Sequence, residues 1–238
     1  MRPDEQYIAA LTDEDKCRLI VFQCADGLLE PAEILRLQEA GLPTGERDLK
    51  CLSAQRLEAV VIRLLKPNRV AHVLGCRDTA IELARLWGAD ETDAARAALL
   101  HDVTKALGSP LQLALCDAYG VTLSQFAANN PKTLHALTGS LVAERIFGEN
   151  AAVIAAIRSH TTGKAHMNTL EKIIYVADYM EPNRDFPGVE ELRHLAYSDL
   201  DEALKCGLEM TLTMLKEQGK EISPESQQAL DFLADQKG

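Results

Sequence analysis

"AALLHDVTK", residues 97–105, decides how this chain is read. Ala97, Ala98, Leu99, Leu100 and Val103 give it the composition of a core-facing helix. Yet His101 and Asp102 stand side by side within it, and Lys105 follows about one turn later. An imidazole beside a carboxylate is costly to bury without partners. The rest of the chain must therefore bring something to the pair.

Working outward, the neighbouring segments also read as helices. "LKPNRVAHVLGCRDTAIELARLWG" repeats apolar residues at Val70, Val73, Leu74, Ile81, Leu83, Ala84 and Leu86 and stops at Gly88. "GADETDAARAALLHDVTKALG" has Asp90 or Thr92 as its cap, and "NNPKTLHALTGSLVAERIFG" offers Asn130 as cap with Pro131 in the first helical position. "ENAAVIAAIRSHTTG" is a shorter helix ending near Gly163. "NTLEKIIYVADYMEP" opens with an Asn168-x-x-Glu171 capping box and stops before Pro182. "SDLDEALKCGLEMTLTMLKEQG" is a longer amphipathic helix. No segment alternates cleanly enough to be a strand. The prediction is an all-α domain over residues 52–219. A small helical extension, residues 1–51, precedes it through the Gly41–Asp48 loop, and a polar tail, residues 220–238, follows with one short helix from Pro224.

Composition narrows the function. The 238 residues are 47% hydrophobic and 26% charged, as in globular chains, and only 5% aromatic. No apolar run approaches the roughly 20 residues that span a bilayer, and "MRPDEQYIAALTDEDK" lacks the apolar stretch of a signal peptide. A soluble cytoplasmic protein is expected. The six cysteines (17, 24, 51, 76, 116 and 206) form no C-x-x-C pair, which argues against a disulfide frame or a zinc knuckle. A net charge of −11 without a basic stripe argues against duplex DNA. It permits an anionic small ligand, because local cations dominate within a Debye length.

His72, His101, Asp102, His135, His160 and Asp178 each sit near an apolar seam, on five different helices. Any one of them alone has an ordinary reading as a surface or hydrogen-bonded core residue. Together they are the imidazole and carboxylate set that binds iron, manganese, cobalt, nickel or zinc. A carboxylate can join two ions through its two oxygens and an imidazole cannot, so Asp102 is the natural bridge.

The order H…HD…D, as His72, His101–Asp102 and Asp178, resembles the HD-domain metal-dependent phosphohydrolases. The blocks "NRVAHVLGCRDTAIELARLWG", "AALLHDVTK", "LHALTGSLVAERIFG", "AIRSHTTG" and "LEKIIYVADYMEPNR" resemble, in that order, the YqeK-type symmetrical diadenosine tetraphosphate hydrolases. The resemblance runs from about Leu52 to about Leu204. It implies an HD-domain helical bundle with two divalent or trivalent metal ions, most often iron, with manganese, cobalt or nickel as alternatives. His72, His101, Asp102 and Asp178 would hold one ion, and His135, His160 and the bridging Asp102 the second. His166 and His194 match no ligand position and are assigned to the surface.

The resemblance also implies symmetrical hydrolysis of diadenosine tetraphosphate, or of related dinucleoside polyphosphates, to two ADP by a hydroxide shared between the metals. Lys105 and Arg184 would neutralise charge on the phosphates, and Asp102 completes the catalytic group. Lys105, Thr161, Thr162, Gly163 and Arg184 would contact the substrate. The leaving diphosphate is a weak base, so no strong general acid is needed. The expected partner is a small dinucleotide, with no nucleic acid and no membrane, and a homodimer stays open. The alternatives are another HD-type nucleotide phosphohydrolase acting on mono- or triphosphates, a nucleotide sensor without catalysis, and a module in which metals only staple helices.

Overall fold

The structure is a computed structural model and describes residues 49–236. All of its regular elements are helical, and no strand occurs among the described residues. In chain order they are α1 (Ala54–Leu64), α2 (Pro67–Trp87), α3 (Glu91–Leu100), α4 (Gly108–Ala118), α5 (Gln125–Asn129), α6 (Leu134–Arg145), α7 (Ala151–Ser159), α8 (Thr169–Met180), α9 (Val189–Ala196), α10 (Leu200–Glu217) and α11 (Pro224–Asp235). Short 3-10 turns lie at Lys105–Leu107 and Pro131–Thr133. The extension assigned to residues 1–51 falls almost wholly outside the described residues. Leu49 and Leu52 are buried against the bundle.

Local chemistry sets the helix limits. Asp90 caps α3 by accepting from the Asp93 amide, Asn150 caps α7, Asp199 caps α10 and Ser223 caps α11. Asn168 and Glu171 form the reciprocal capping box of α8. Gly88 ends α2 in the left-handed conformation, at φ 72°, where a side chain would be strained. Two local readings change. Asn130 does not cap a helix at Pro131; its side-chain amide donates to Phe126 O and Glu221, and Pro131 starts a 3-10 turn. The apolar run of "AALLHDVTK" outlasts its helix, because α3 stops at Leu100 and residues 101–104 turn.

The centre of the bundle is α3, which packs against α1, α2, α6, α7 and α8. It can meet so many neighbours because its buried residues are mostly alanines: Ala94, Ala95, Ala97 and Ala98, with Leu99 and Leu100. Small side chains let helix axes approach closely. Helix α8 is the second inner element, in contact with α2, α3, α7, α9 and α10. Helix α11 lies against α10 and buries Ala229 and Leu233. No helix among the described residues is long and apolar enough to cross a membrane.

The described cysteines are free thiols: Cys76 and Cys116 buried, Cys206 half-buried, Cys51 exposed. Cys17 and Cys24 lie outside the described residues.

Candidate metal centre

Five helices deliver their polar residues to one point. His101 and Asp102 stand where α3 ends, His160 where α7 ends, His135 in the first turn of α6, His72 in the first half of α2 and Asp178 near the end of α8. His101, Asp102 and His160 are essentially inaccessible, and His72 and His135 nearly so. Asp178 is only partly buried and opens to one side. His166 and His194 are exposed.

The Asp102 carboxylate divides the histidines. Its Oδ2 lies 3.7 Å from His72 Nε2 and 3.5 Å from His101 Nε2. Its Oδ1 lies 3.5 Å from His135 Nε2 and 4.0 Å from His160 Nε2. Asp178 Oδ1 joins the first group, 3.1 Å from His72 Nε2 and 3.8 Å from His101 Nε2. Two clusters of candidate ligands therefore share one carboxylate, His72–His101–Asp102 and Asp102–His135–His160, and a third, His101–His160–Asp178, joins the two sides.

The ring orientations follow from what each Nδ1 touches. His101 Nδ1 lies 2.6 Å from Ala98 O, His135 Nδ1 2.8 Å from Lys132 O and His160 Nδ1 2.7 Å from Ile157 O. A carbonyl can only accept, so each Nδ1 carries the proton and donates. For His101 and His160 the acceptor is one of the last carbonyls of a helix, a group with no partner inside the helix. His72 differs: its Nδ1 donates to a carboxylate, Glu181 Oε1, at 3.1 Å. All four Nε2 atoms are then lone pairs aimed inward.

Those lone pairs face one another. His72 Nε2 and His101 Nε2 are 3.3 Å apart, and His135 Nε2 and His160 Nε2 are 3.1 Å apart. Acceptors this close repel unless a cation lies between them. Asp102 Oδ1 is buried and, beyond its ion pair with Lys105, makes no hydrogen bond. The C-terminal ends of α3 and α7 also point their negative dipole ends at the cluster. The donor set fits two metal ions of the kind imidazole and carboxylate bind.

Protonation agrees with this. Burial, with repulsion from His160 and His72, pushes His101 well below the ordinary histidine range, against the pull of Asp178. Burial likewise lowers His160 to about 4. Burial alone would raise Asp178, but its neighbours, with Arg184 the permanent charge among them, hold it well below the usual carboxylate range. His101, His135 and His160 are neutral and Asp178 is ionised near neutrality, as metal ligation requires.

The residues expected around the ligands divide. Lys105 Nζ lies 3.1 Å from Asp102 Oδ1 while its side chain stays 39% exposed, so it reaches the cluster from solvent. Partial desolvation of its ammonium end, against the pull of Asp178 and with the Arg69 and Arg184 charges, lowers it to about 8. Thr161 Oγ1 is 3.1 Å from both His135 Nε2 and His160 Nε2. Thr162 turns to the Gly163 carbonyl, at 3.1 Å. A Cβ on Gly163 would meet Leu208 and Ala229, so this glycine serves the chain reversal and the seat of α11. Arg184 donates from Nε to Asp178 O at 2.9 Å and from Nη2 to Asp178 Oδ1 at 2.7 Å. It holds Asp178 as a fork.

Two charged groups at the site were not read from the sequence. The Arg69 guanidinium pairs with Asp102 Oδ2. Its only sequence signal is the three-residue spacing from His72, which places both on one helix face. Glu181 is buried beside His72. An acid closing an apolar helix just before Pro182 was the available hint.

The HD domain family model matches residues 69–183, which include all six predicted ligands. The chain is 38% identical over 169 residues to the symmetrical bis(5'-nucleosyl)-tetraphosphatase of Bacillus subtilis (strain 168), a match covering 71% of this chain and 90% of that protein. It is 32% identical over 150 residues to the protein of the same name from Staphylococcus aureus (strain NCTC 8325 / PS 47), covering 62% and 76%. Among solved structures it resembles a predicted HD superfamily hydrolase involved in NAD metabolism from Clostridium acetobutylicum, with a TM-score of 0.75, 34% identity, and coverage of 78% of this chain and 98% of that one. With these six candidate residues converging on one point, the chain belongs to the HD-domain hydrolases, in the family of the symmetrical bis(5'-nucleosyl)-tetraphosphatases.

Proposed function

We propose that this protein is a dimetal hydrolase that cleaves diadenosine tetraphosphate, or a related dinucleoside polyphosphate, between its second and third phosphates. The observation that carries the reading is the division of the four Nε2 atoms between the two oxygens of Asp102. The resident ions are taken to be iron, with His72, His101, Asp102 and Asp178 holding one and Asp102, His135 and His160 the other. When bound, such a pair supplies hydroxide near neutrality and charge neutralisation on phosphate oxygens.

The chain's own residues do the rest. The Nδ1–H bonds to Ala98, Lys132, Ile157 and Glu181 hold the imidazoles in one tautomer and one direction. Lys105, exposed at the edge of the cluster, meets the polyphosphate as a point charge. Arg69 and Arg184 add positive charge beside Asp102 and Asp178. This local cation cluster draws an anionic substrate onto a protein of net charge −11. The departing nucleoside diphosphate leaves without a strong acid. A nucleotide substrate of this kind supports a cytoplasmic location.

The deciding experiment is turnover of diadenosine tetraphosphate by anaerobically purified protein, with chromatographic identification of products and elemental analysis. Two ADP per substrate is the expected result. AMP plus ATP would move the scission point, and tight binding without turnover would make the protein a sensor. Turnover only of nucleoside mono- or triphosphates would make it a different HD phosphohydrolase.

A further inference from the structure

Glu181 is a buried carboxylate outside the six ligands, and its surroundings are built for it. Its Oε1 accepts from His72 Nδ1 at 3.1 Å. Its Oε2 accepts from the Asn183 amide nitrogen at 2.7 Å and from Asn183 Nδ2 at 2.8 Å. Asn183 Nδ2 also donates to Ala71 O in α2, at 3.1 Å. Opposite stands Gly75, one turn after His72 within α2. A Cβ there would lie 2.5 Å from Glu181 Oε2 and 3.0 Å from Asn183 Nδ2. Glycine inside a helix costs about 1 kcal/mol relative to alanine. Here it clears the space the carboxylate occupies.

We infer that Glu181, seated by Gly75 and Asn183, is a positioning residue that fixes the Nδ1–H tautomer and the direction of His72, and so the affinity of the ion on the His72 side. The inference rests on the dimetal reading above. A carboxylate bonded to the far nitrogen of a ligating histidine both orients the ring and makes it a better donor. Both Glu181 oxygens face donors, so a glutamine of the same size cannot substitute. If its carbonyl faces His72, its NH2 opposes the two Asn183 donors. If it flips, its NH2 faces His72 Nδ1 and favours the opposite tautomer.

The test uses protein loaded with Co(II), followed by chelator competition and the visible spectrum of the bound ions. Wild type is expected to hold two ions. Glu181→Gln is expected to release one ion about 10- to 100-fold more readily, with a changed spectrum for that ion and little change for the other. Gly75→Ala, which displaces the carboxylate while improving helix propensity, should repeat the effect with unchanged helical circular dichroism. The 15N shifts of the His72 ring should show the tautomer change. Should Glu181→Gln prove unstable, Gly75→Ala decides alone. Wild-type retention of both ions in the folded variants would overturn the positioning role. A wild-type protein that binds no Co(II) would overturn the metal centre itself and this inference with it.

Discussion

The two halves of the centre are built differently. On the His135–His160 side, both Nδ1 groups donate to main-chain carbonyls three residues earlier, the neutral Thr161 lies 3.1 Å from both rings, and the charged Lys105 stands beside Asp102 Oδ1. On the His72–His101–Asp178 side, one ring is held by a main-chain carbonyl and the other by Glu181, Asp178 is held by Arg184, and Arg69 pairs with Asp102. One half is set by local helix geometry. The other depends on charged side chains brought from α2, α8 and the turn after α8. A point mutation can therefore tune the second kind, while the first is changed mainly by removing a ligand.

The largest effect should come from the residue that both halves share. Asp102→Ala is expected to lose both ions and at least about 1000-fold in turnover, about 4 kcal/mol of barrier. Elemental analysis and a rate measurement check it; two retained ions with normal turnover would refute the bridge. Next come the half-specific ligands. His72→Ala and His135→Ala should each leave about one ion per chain and turnover near that of Asp102→Ala. Their residual Co(II) spectra should differ, because different ligands remain.

A smaller effect is expected at Arg184. Arg184→Ala frees the Asp178 carboxylate, so it should weaken the ion on the His72 side roughly tenfold or less and raise KM for the polyphosphate. The ion between His135 and His160 should be unaffected. If both ions weaken equally, the halves are less independent than their contacts indicate. The smallest effect should come from Asn168→Ala, which breaks the capping box of α8 far from the ligands. It should cost about 1 kcal/mol and lower Tm by about 2–4 °C, with metal content unchanged.

Much of this was legible in one dimension. Apolar periodicity with Asp90, Asn168 and Gly88 marked helix limits that the structure keeps. Helix identity was clear because capping and periodicity act within a few residues. The ligand types were legible because a polar residue in an apolar helix needs a reason. Arg69, Glu181 and Gly75 were not legible as a group. Glu181 and His72 are 109 residues apart and meet only because α8 packs on α2. Gly75 looks like a helix defect until the carboxylate opposite it is known. Thr162 and Gly163 were placed near the phosphates from their position after His160; that the Thr162 hydroxyl bonds the Gly163 carbonyl and that Gly163 packs against α10 and α11 was not legible there. A turn's direction is set by what packs on it, and that was not in the local pattern.

Taken alone, the order of residues determined an all-helical bundle and the six side chains able to ligate metal. Only the tertiary structure decided which oxygen of Asp102 faces which histidines, which nitrogen of each ring carries its proton, and which charges stand behind the ligands. The reason is physical: helix formation and capping are short-range, whereas ring direction and tautomer depend on acceptors supplied by whatever element happens to lie across the gap.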